Sequence, residues 1–153
     1  MTVPPDVWIR RMRRLEEVCR AGGLKLTHQR IEIFSELART DEHLDAETIY
    51  RQVHGRMPAV SRDTVYRTLA MLEDRGLVIK ANGSGPSRYD ANTDPHHHFI
   101  CRRCGAVRDF LSEAMDGLSP PADVQRWGVI ESVRVQVRGI CRECLAKDKH
   151  KSD

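Results

Sequence analysis

The feature of this sequence that most constrains its fold is a pair of Cys-x-x-Cys motifs far apart in the chain. The first is Cys101-Arg-Arg-Cys104 and the second is Cys141-Arg-Glu-Cys144. Four thiolates in two such pairs are the ligands of a closed tetrahedral site, for which zinc is the first choice. An iron–sulfur cluster and two redox-active dithiols are the alternatives. The C-terminal half must therefore fold so that the two motifs meet.

A run of histidines stands immediately before the first cysteine pair. On an extended strand, His96 and His98 project to the same face and can bind one ion together. Asp90 and Asp109 flank this run, and imidazole mixed with carboxylate suits iron, manganese or zinc with open coordination positions. We therefore predict a second metal site, distinct from the cysteine site. His43 would join the two halves if it were a ligand, although an isolated histidine is more commonly a surface or capping residue.

The N-terminal part of the chain has the periodicity of amphipathic helices. A first helix is predicted from Asp6 to Ala21. Three further helices are predicted to begin after Thr27, Asp45 and Ser61, because short polar side chains at these positions can accept hydrogen bonds from unpaired backbone N–H groups. Cys19, the fifth cysteine, lies at an apolar position of the first helix and is predicted to be a core residue.

A hairpin is predicted to follow the last of these helices. The strand Leu77 to Ile79 precedes a turn from Asn82 to Ser87 and a second strand that ends near Tyr89. Helices followed by a hairpin are typical of a winged helix-turn-helix, in which the Ser61 helix would enter the major groove of DNA. The alternative is a helical bundle with a solvated arginine face. The candidate DNA contacts are Arg62, Thr64, Tyr66 and Arg67.

The fold class predicted from these patterns is α+β in two domains. A winged-helix DNA-binding domain spans 1–84, a hinge spans 85–92, and a small α/β metal-binding domain spans 93–153. A domain of the latter size commonly needs a metal or a second subunit to supplement its core. The chain has no apolar run long enough to span a bilayer and no secretory signal, so a cytoplasmic protein without membrane association is expected.

Several motifs together resemble the ferric uptake regulator family over nearly the whole chain. They are Leu26-Thr27-His28-Gln29-Arg30, His43-Leu44-Asp45-Ala46-Glu47, Thr64-Val65-Tyr66-Arg67-Thr68-Leu69, Arg88-Tyr89-Asp90, His96-His97-His98-Phe99-Ile100-Cys101 and the second cysteine pair. The resemblance implies a homodimeric repressor, not an enzyme, that binds double-stranded inverted-repeat operator DNA when its regulatory site holds metal. It also implies that 93–153 is the dimerisation domain and that structural zinc bound by the four cysteines holds it together.

The family's regulatory site, carried over position by position, falls on His43, Asp90, His96, His98 and Asp109. Iron-uptake repressors usually carry glutamate where this chain has Asp90 and Asp109, whereas the peroxide-sensing (PerR) branch resembles this chain in using aspartate. The resemblance therefore implies that ferrous iron bound there promotes oxidation of His43 or His96 by hydrogen peroxide, which lowers operator affinity. Manganese is the other regulatory metal expected.

Two departures from the family pattern and several rival functions remain. Val133 stands where an additional family site uses histidine, and Pro95 begins the histidine-rich segment, so that additional site is not expected. The stretch 119–127 contains two prolines and departs from the regular helix of the family. The rivals are an iron-homeostasis repressor, a zinc or manganese sensor, a dithiol redox enzyme and an RNA-binding zinc-ribbon protein.

Overall fold

The computed structural model describes residues 2–81 and 85–149. They divide into two compact units, Met1–Thr93 and Asp94–Asp153. Unit 1 contains α1 (Pro5–Ala21), α2 (His28–Ala38), β1 (Leu44–Asp45), α3 (Ala46–Arg56), α4 (Arg62–Asp74), β2 (Ile79–Ala81) and β3 (Arg88–Asp90). Unit 2 contains β4 (His97–Cys101), β5 (Val107–Phe110), α5 (Glu113–Asp116), α6 (Ala122–Gln125), β6 (Gln136–Gly139) and α7 (Arg142–Lys149). The predicted α+β class is confirmed.

Three helices of unit 1 begin at the predicted capping residues. Thr27 Oγ1 accepts a hydrogen bond from the Arg30 N–H at 3.3 Å, and Asp45 Oδ1 accepts one from the Thr48 N–H at 2.7 Å. Ser61 Oγ accepts one from the Thr64 N–H at 3.1 Å. Each cap satisfies a backbone donor that the first helical turn leaves unpaired. The cap predictions are confirmed, and they set where α2, α3 and α4 begin.

The core of unit 1 is formed by the apolar faces of its helices. Its fully buried side chains include Leu15 of α1, Phe34 and Leu37 of α2, Ile49 of α3 and Leu69 of α4. Cys19 is 1% exposed and belongs to the same cluster, as predicted for a core residue. This packing holds α4 rigidly and leaves its opposite face in solvent.

Replacing Leu37 by alanine should lower the free energy of unfolding by about 2–5 kcal/mol, because the side chain is 1% exposed and its removal leaves a cavity. Urea unfolding followed by circular dichroism measures the loss. Ile9 on α1 is 41% exposed, so Ile9→Ala is the matched control and should cost much less. Equal losses for the two variants would show that the core is placed wrongly.

The strand after α4 begins later than predicted. Strand β2 starts at Ile79 rather than Leu77. Gly76 has φ 64°, its N–H bonds the Glu73 carbonyl, and the Leu77 N–H bonds the Leu72 carbonyl at 2.9 Å. These two bonds are the Schellman termination of a helix, so Leu77 belongs to the helix end and cannot join a strand ladder.

Unit 1 also contains a small antiparallel sheet in the strand order β1-β3-β2. Lys80 lies opposite Tyr89, and Leu44 lies on the other side of the same Tyr89. Strands β2 and β3 are the two arms of the predicted wing. Residues 82–84 of its predicted turn, Asn82 to Ser87, lie outside the described residues.

Unit 2 is built on a three-stranded sheet in the order β5-β4-β6. Strand β4 is central, pairing antiparallel with β5 and parallel with β6. The parallel register places Cys101 beside Gly139, two residues before Cys141. Strand β6 is short and covers only Gln136–Gly139. None of the described helices is long and apolar enough to cross a membrane.

Candidate metal centres and nucleic-acid interface

The two cysteine motifs converge at one end of the unit 2 sheet. Cys101 closes β4, Cys104 follows in a tight turn, and Cys141 and Cys144 flank the start of α7. The Sγ atoms of Cys101 and Cys144 are 3.9 Å apart, and those of Cys104 and Cys141 are 3.7 Å apart. A tetrahedral ion with Zn–S bonds of about 2.3 Å requires sulfur–sulfur separations of roughly 3.8 Å. The four cysteines, all free thiols, therefore fit a zinc ion.

The surroundings of these cysteines favour thiolate at one position and thiol at another. The backbone N–H groups of Cys104 and Cys141 donate hydrogen bonds that lower the pKa of Cys101 to about 6. Burial and the neighbouring cysteines raise the pKa of Cys144 to about 12. Four sulfurs this close cannot all ionise without a cation, because their negative charges repel one another. The donor set suits a divalent ion that binds thiolate.

A second group of ligands lies further along β4 and β5 in the same unit. The Nε2 atoms of His96 and His98 are 2.8 Å apart. Asp109 Oδ1 lies 3.6 Å from His96 Nε2 and 3.3 Å from His98 Nε2. His96 Nδ1 lies 2.7 Å from the Asp94 carbonyl, which assigns the proton to Nδ1 and leaves the Nε2 lone pair for an ion.

These three atoms form a triangle with the composition of a two-histidine, one-carboxylate site. Ligand atoms about 2.1 Å from an ion and at right angles around it lie roughly 3.0 Å apart, close to the His96–His98 separation of 2.8 Å. Such a triad leaves several coordination positions of an iron or manganese ion open to other ligands. The residues present therefore fit a regulatory metal, and the strand alternation predicted for His96 and His98 explains why both reach it.

Unit 1 contains a histidine–aspartate pair. His43 Nε2 lies 3.5 Å from Asp90 Oδ2, and both side chains are buried. Asp90 Oδ1 accepts a hydrogen bond from the Asn92 N–H at 2.7 Å, and Arg88 donates to the His43 carbonyl at 3.0 Å. These bonds orient the loop before β1 and the end of β3 toward each other. The pair offers one nitrogen and one oxygen ligand from positions that the sequence predicted.

His97, the middle histidine of the run, was not among the predicted site residues. Its Nδ1 accepts a hydrogen bond from the Val135 N–H at 3.1 Å, and its Nε2 lies 3.1 Å from Asp116 Oδ1. The ring lies 5.4 Å from that of Phe110. Side chains alternate between faces along β4, so His97 points away from His96 and His98 and ties β4 to α5 and to the segment before β6.

The predicted DNA contacts lie on the solvent face of α4 and at its start. Tyr66 is 54% exposed, and the Arg67 side chain is 77% exposed and pairs with Asp63 at 2.9 Å. Thr64 Oγ1 lies 2.9 Å from Ser61 Oγ. Arg62 is bound to Glu47 of α3. A cleft of about 290 Å³ separates the beginnings of α2 and α4; it is lined by Thr27, Gln29, Arg30, Thr64, Arg67 and Thr68.

The chain is similar in sequence and in fold to known proteins. The sequence model of one protein family, described as the ferric uptake regulator family, matches residues 21–137. The peroxide operon regulator of Bacillus subtilis (strain 168) is 32% identical over 135 residues, which cover 88% of this chain and 93% of that protein. A structure of the Helicobacter pylori ferric uptake regulator superposes with a TM-score of 0.75 at 24% identity, covering 95% of this chain and 97% of that one. A zinc-bound manganese uptake regulator superposes with a TM-score of 0.63 at 29% identity, covering 83% and 98%.

Proposed function

This chain belongs to the ferric uptake regulator family of metal-responsive transcription regulators, and from that premise we propose that it is a homodimeric, metal-dependent repressor. Members of this family are regulators rather than enzymes. The proposed target is an inverted-repeat operator in double-stranded DNA, in the cytoplasm. The observation that carries the proposal is that one small chain contains a four-sulfur site, a histidine–carboxylate site and a helix, α4, with an exposed face.

The exposed face of α4 supports DNA binding. Tyr66 and Arg67 follow the helix start on the solvent side, and the cleft between α2 and α4 offers Arg30 and Arg67 as cations for phosphate. The N-terminus of α2, capped by Thr27, adds backbone dipoles of the sign that attracts anions. We propose that the four predicted residues Arg62, Thr64, Tyr66 and Arg67 lie at this interface, with Arg67 as a phosphate contact and Arg62 held back from the phosphates by its pair with Glu47.

Alanine at Tyr66 or Arg67 should weaken binding of the manganese-loaded protein to its own DNA site. The probe is the duplex that the wild-type protein selects from a random-sequence library. Each contact of this kind is worth about 1–3 kcal/mol, and the double variant should bind too weakly to detect by fluorescence anisotropy. Metal content should not change, because neither side chain belongs to a proposed ligand set. Arg20→Ala, on α1, is the matched control; normal binding by the double variant would exclude α4 as the recognition helix.

We propose that the four cysteines hold zinc permanently and that the regulatory metal binds elsewhere. The regulatory ligand set is His96, His98 and Asp109 of unit 2, completed by His43 and Asp90 of unit 1. Ligands drawn from both units would couple metal occupancy to the relative position of the DNA-binding unit, with the hinge before Asp94. Iron and manganese are the proposed ions, since nitrogen and oxygen ligands with open positions suit both.

We further propose that the chain senses hydrogen peroxide. Aspartate at both carboxylate positions and the similarity to a peroxide operon regulator support this branch. Bound ferrous iron would supply the electron that cleaves the peroxide O–O bond. His43 and His96 are the proposed targets of this oxidation, and His96 is held by the Asp94 carbonyl. A repressor of iron uptake is the second candidate, because aspartate and glutamate differ by one methylene and bind similar ions.

Apolar side chains on the surface of unit 2 support the homodimer. Trp127 is 81% exposed and Val129 is 95% exposed, and Leu118 and Val137 are also exposed. Burying large apolar side chains that are this exposed against a partner would be favourable. We propose that a second copy of the chain covers it.

A further inference from the structure

Arg62, the first residue of α4, already has two partners on α3. Its Nε donates to Glu47 Oε2 at 3.0 Å and its Nη2 donates to Glu47 Oε1 at 2.8 Å. The guanidinium carbon lies 4.2 Å from the centre of the Tyr50 ring. A bidentate carboxylate pair and an aromatic face together hold the guanidinium in one orientation. Arg62 is therefore oriented by its neighbours before any DNA arrives.

The fork neutralises the charge that Arg62 would otherwise present to DNA. The hydrogen bond from Arg62 lowers the pKa of Glu47, and the hydrogen bond to Glu47 raises the pKa of Arg62. Both groups thus stay ionised around neutral pH, as a pair with no net charge. Their side chains are 45% and 60% exposed, so the pair lies on the surface, at the helix start that is proposed to enter the groove.

A second arginine on α4 is held much more loosely. Arg67 pairs with Asp63 through one contact of 2.9 Å within the same helix, and both side chains are more than 70% exposed. Exposed pairs of this kind contribute little and are screened by salt. Phosphate can therefore displace Asp63 from Arg67 more readily than it can displace Glu47 from Arg62. Arg67 is therefore more available to DNA phosphates than Arg62.

We propose that Glu47 is a specificity-determining residue that keeps Arg62 from binding DNA phosphates and so limits sequence-independent affinity. This inference rests on the proposed DNA-binding function. Non-specific binding is almost entirely the electrostatic contribution of cations that replace counterions on the backbone. A neutral Arg62–Glu47 pair releases no counterions from the DNA backbone. Competing genomic sites are numerous, so lower non-specific affinity improves the occupancy of the operator.

The test compares wild type, Glu47→Gln, Arg62→Gln and the double variant, each loaded with manganese, on a shuffled duplex over a range of salt concentrations. One additional arginine that is free to bind phosphate should make the slope of log affinity against log salt steeper by about 0.9. Between 1 M and 0.1 M salt, binding should then strengthen by roughly eightfold more than it does in wild type. Glu47→Gln should show this gain, and the double variant should lose it. Arg62→Gln should therefore change the slope more in the Glu47→Gln background than in wild type.

Glu73→Gln is the matched control, because it also removes one negative charge, but at a position on α4 that is about 16 Å along the helix from Arg62. It should leave the slope near the wild-type value. If the double variant keeps the gain of Glu47→Gln, Glu47 acts without Arg62 and the inference is overturned. A slope that falls by about 0.9 in Arg62→Gln alone also overturns it, since Arg62 would then already contact phosphate. If wild type binds neither this duplex nor the selected one, the DNA-binding function itself fails.

Discussion

Cys141→Ala should abolish zinc binding, the compact fold of unit 2 and the dimer together. Among the described residues the buried cluster of unit 2 consists of Cys101, Cys141 and Cys144, with a few partly buried apolar neighbours, whereas unit 1 has a large aliphatic core. Unit 2 therefore depends on its metal. Structural zinc contributes about 10–16 kcal/mol in small domains whose folding is coupled to binding, more than a small unit can lose.

Zinc per chain, measured by mass spectrometry of the metal, should fall from about one to none in this variant. Sedimentation velocity should show monomers, and hydrogen exchange should become fast throughout unit 2 while the helices of unit 1 remain protected. Cys19→Ala is the matched control, because the same side chain is removed from the core of unit 1. It should keep its zinc. A dimer with normal zinc content in Cys141→Ala would show that the sulfurs do not bind the structural ion.

Dilute hydrogen peroxide should release the iron-loaded protein from its selected duplex and leave the manganese-loaded protein bound. Oxidation of a ligating imidazole adds an oxygen atom to the ring and weakens its nitrogen as a ligand, so the regulatory ion and the DNA-competent arrangement are lost together. We expect at least a hundredfold loss of affinity, about 2.7 kcal/mol. Anisotropy measures the release, and peptide mass spectrometry locates the added oxygen on His43 or His96.

His28 and His54 are internal controls for this experiment, since neither belongs to the proposed ligand set, and both should stay unmodified. Asp109→Ala should prevent the modification of His96 by removing the only carboxylate that unit 2 contributes to that set. Retention of DNA by both metal forms, with every histidine intact, would reject peroxide sensing. The chain would then be better described as a metal-homeostasis repressor.

Local features of the fold could be predicted closely because they depend on residues near in sequence. Thr27, Asp45 and Ser61 act as caps because the acceptor and the donor lie three residues apart. The predicted start of β2, at Leu77, was wrong for a related reason. Leu77 looks like a strand residue by its side chain, but the backbone bond it donates to Leu72 belongs to the end of α4. Side-chain patterns do not report which partner a backbone group will choose.

Some parts of the candidate site could be predicted from the sequence pattern, and others could not. The cysteine spacing alone indicates a thiolate site, and the alternation of β4 alone places His96 and His98 on one face. Nothing local links Asp109 to them. That contact exists because β5 pairs antiparallel with β4, with His98 opposite Asp109. Nor does the sequence near Arg62 reveal its fork with Glu47, fifteen residues earlier on another helix.

The sequence by itself determined the chemistry of this protein, namely which ligands it offers, and where helices α2, α3 and α4 begin. Only the tertiary structure decided which of these groups meet. Cys101 and Cys141 converge because β6 lies parallel to β4, and Arg62 is neutralised because α3 packs against α4. The physical reason is that spacing along a helix or strand is set by the backbone, whereas contacts between distant segments are set by the shared burial of their apolar faces.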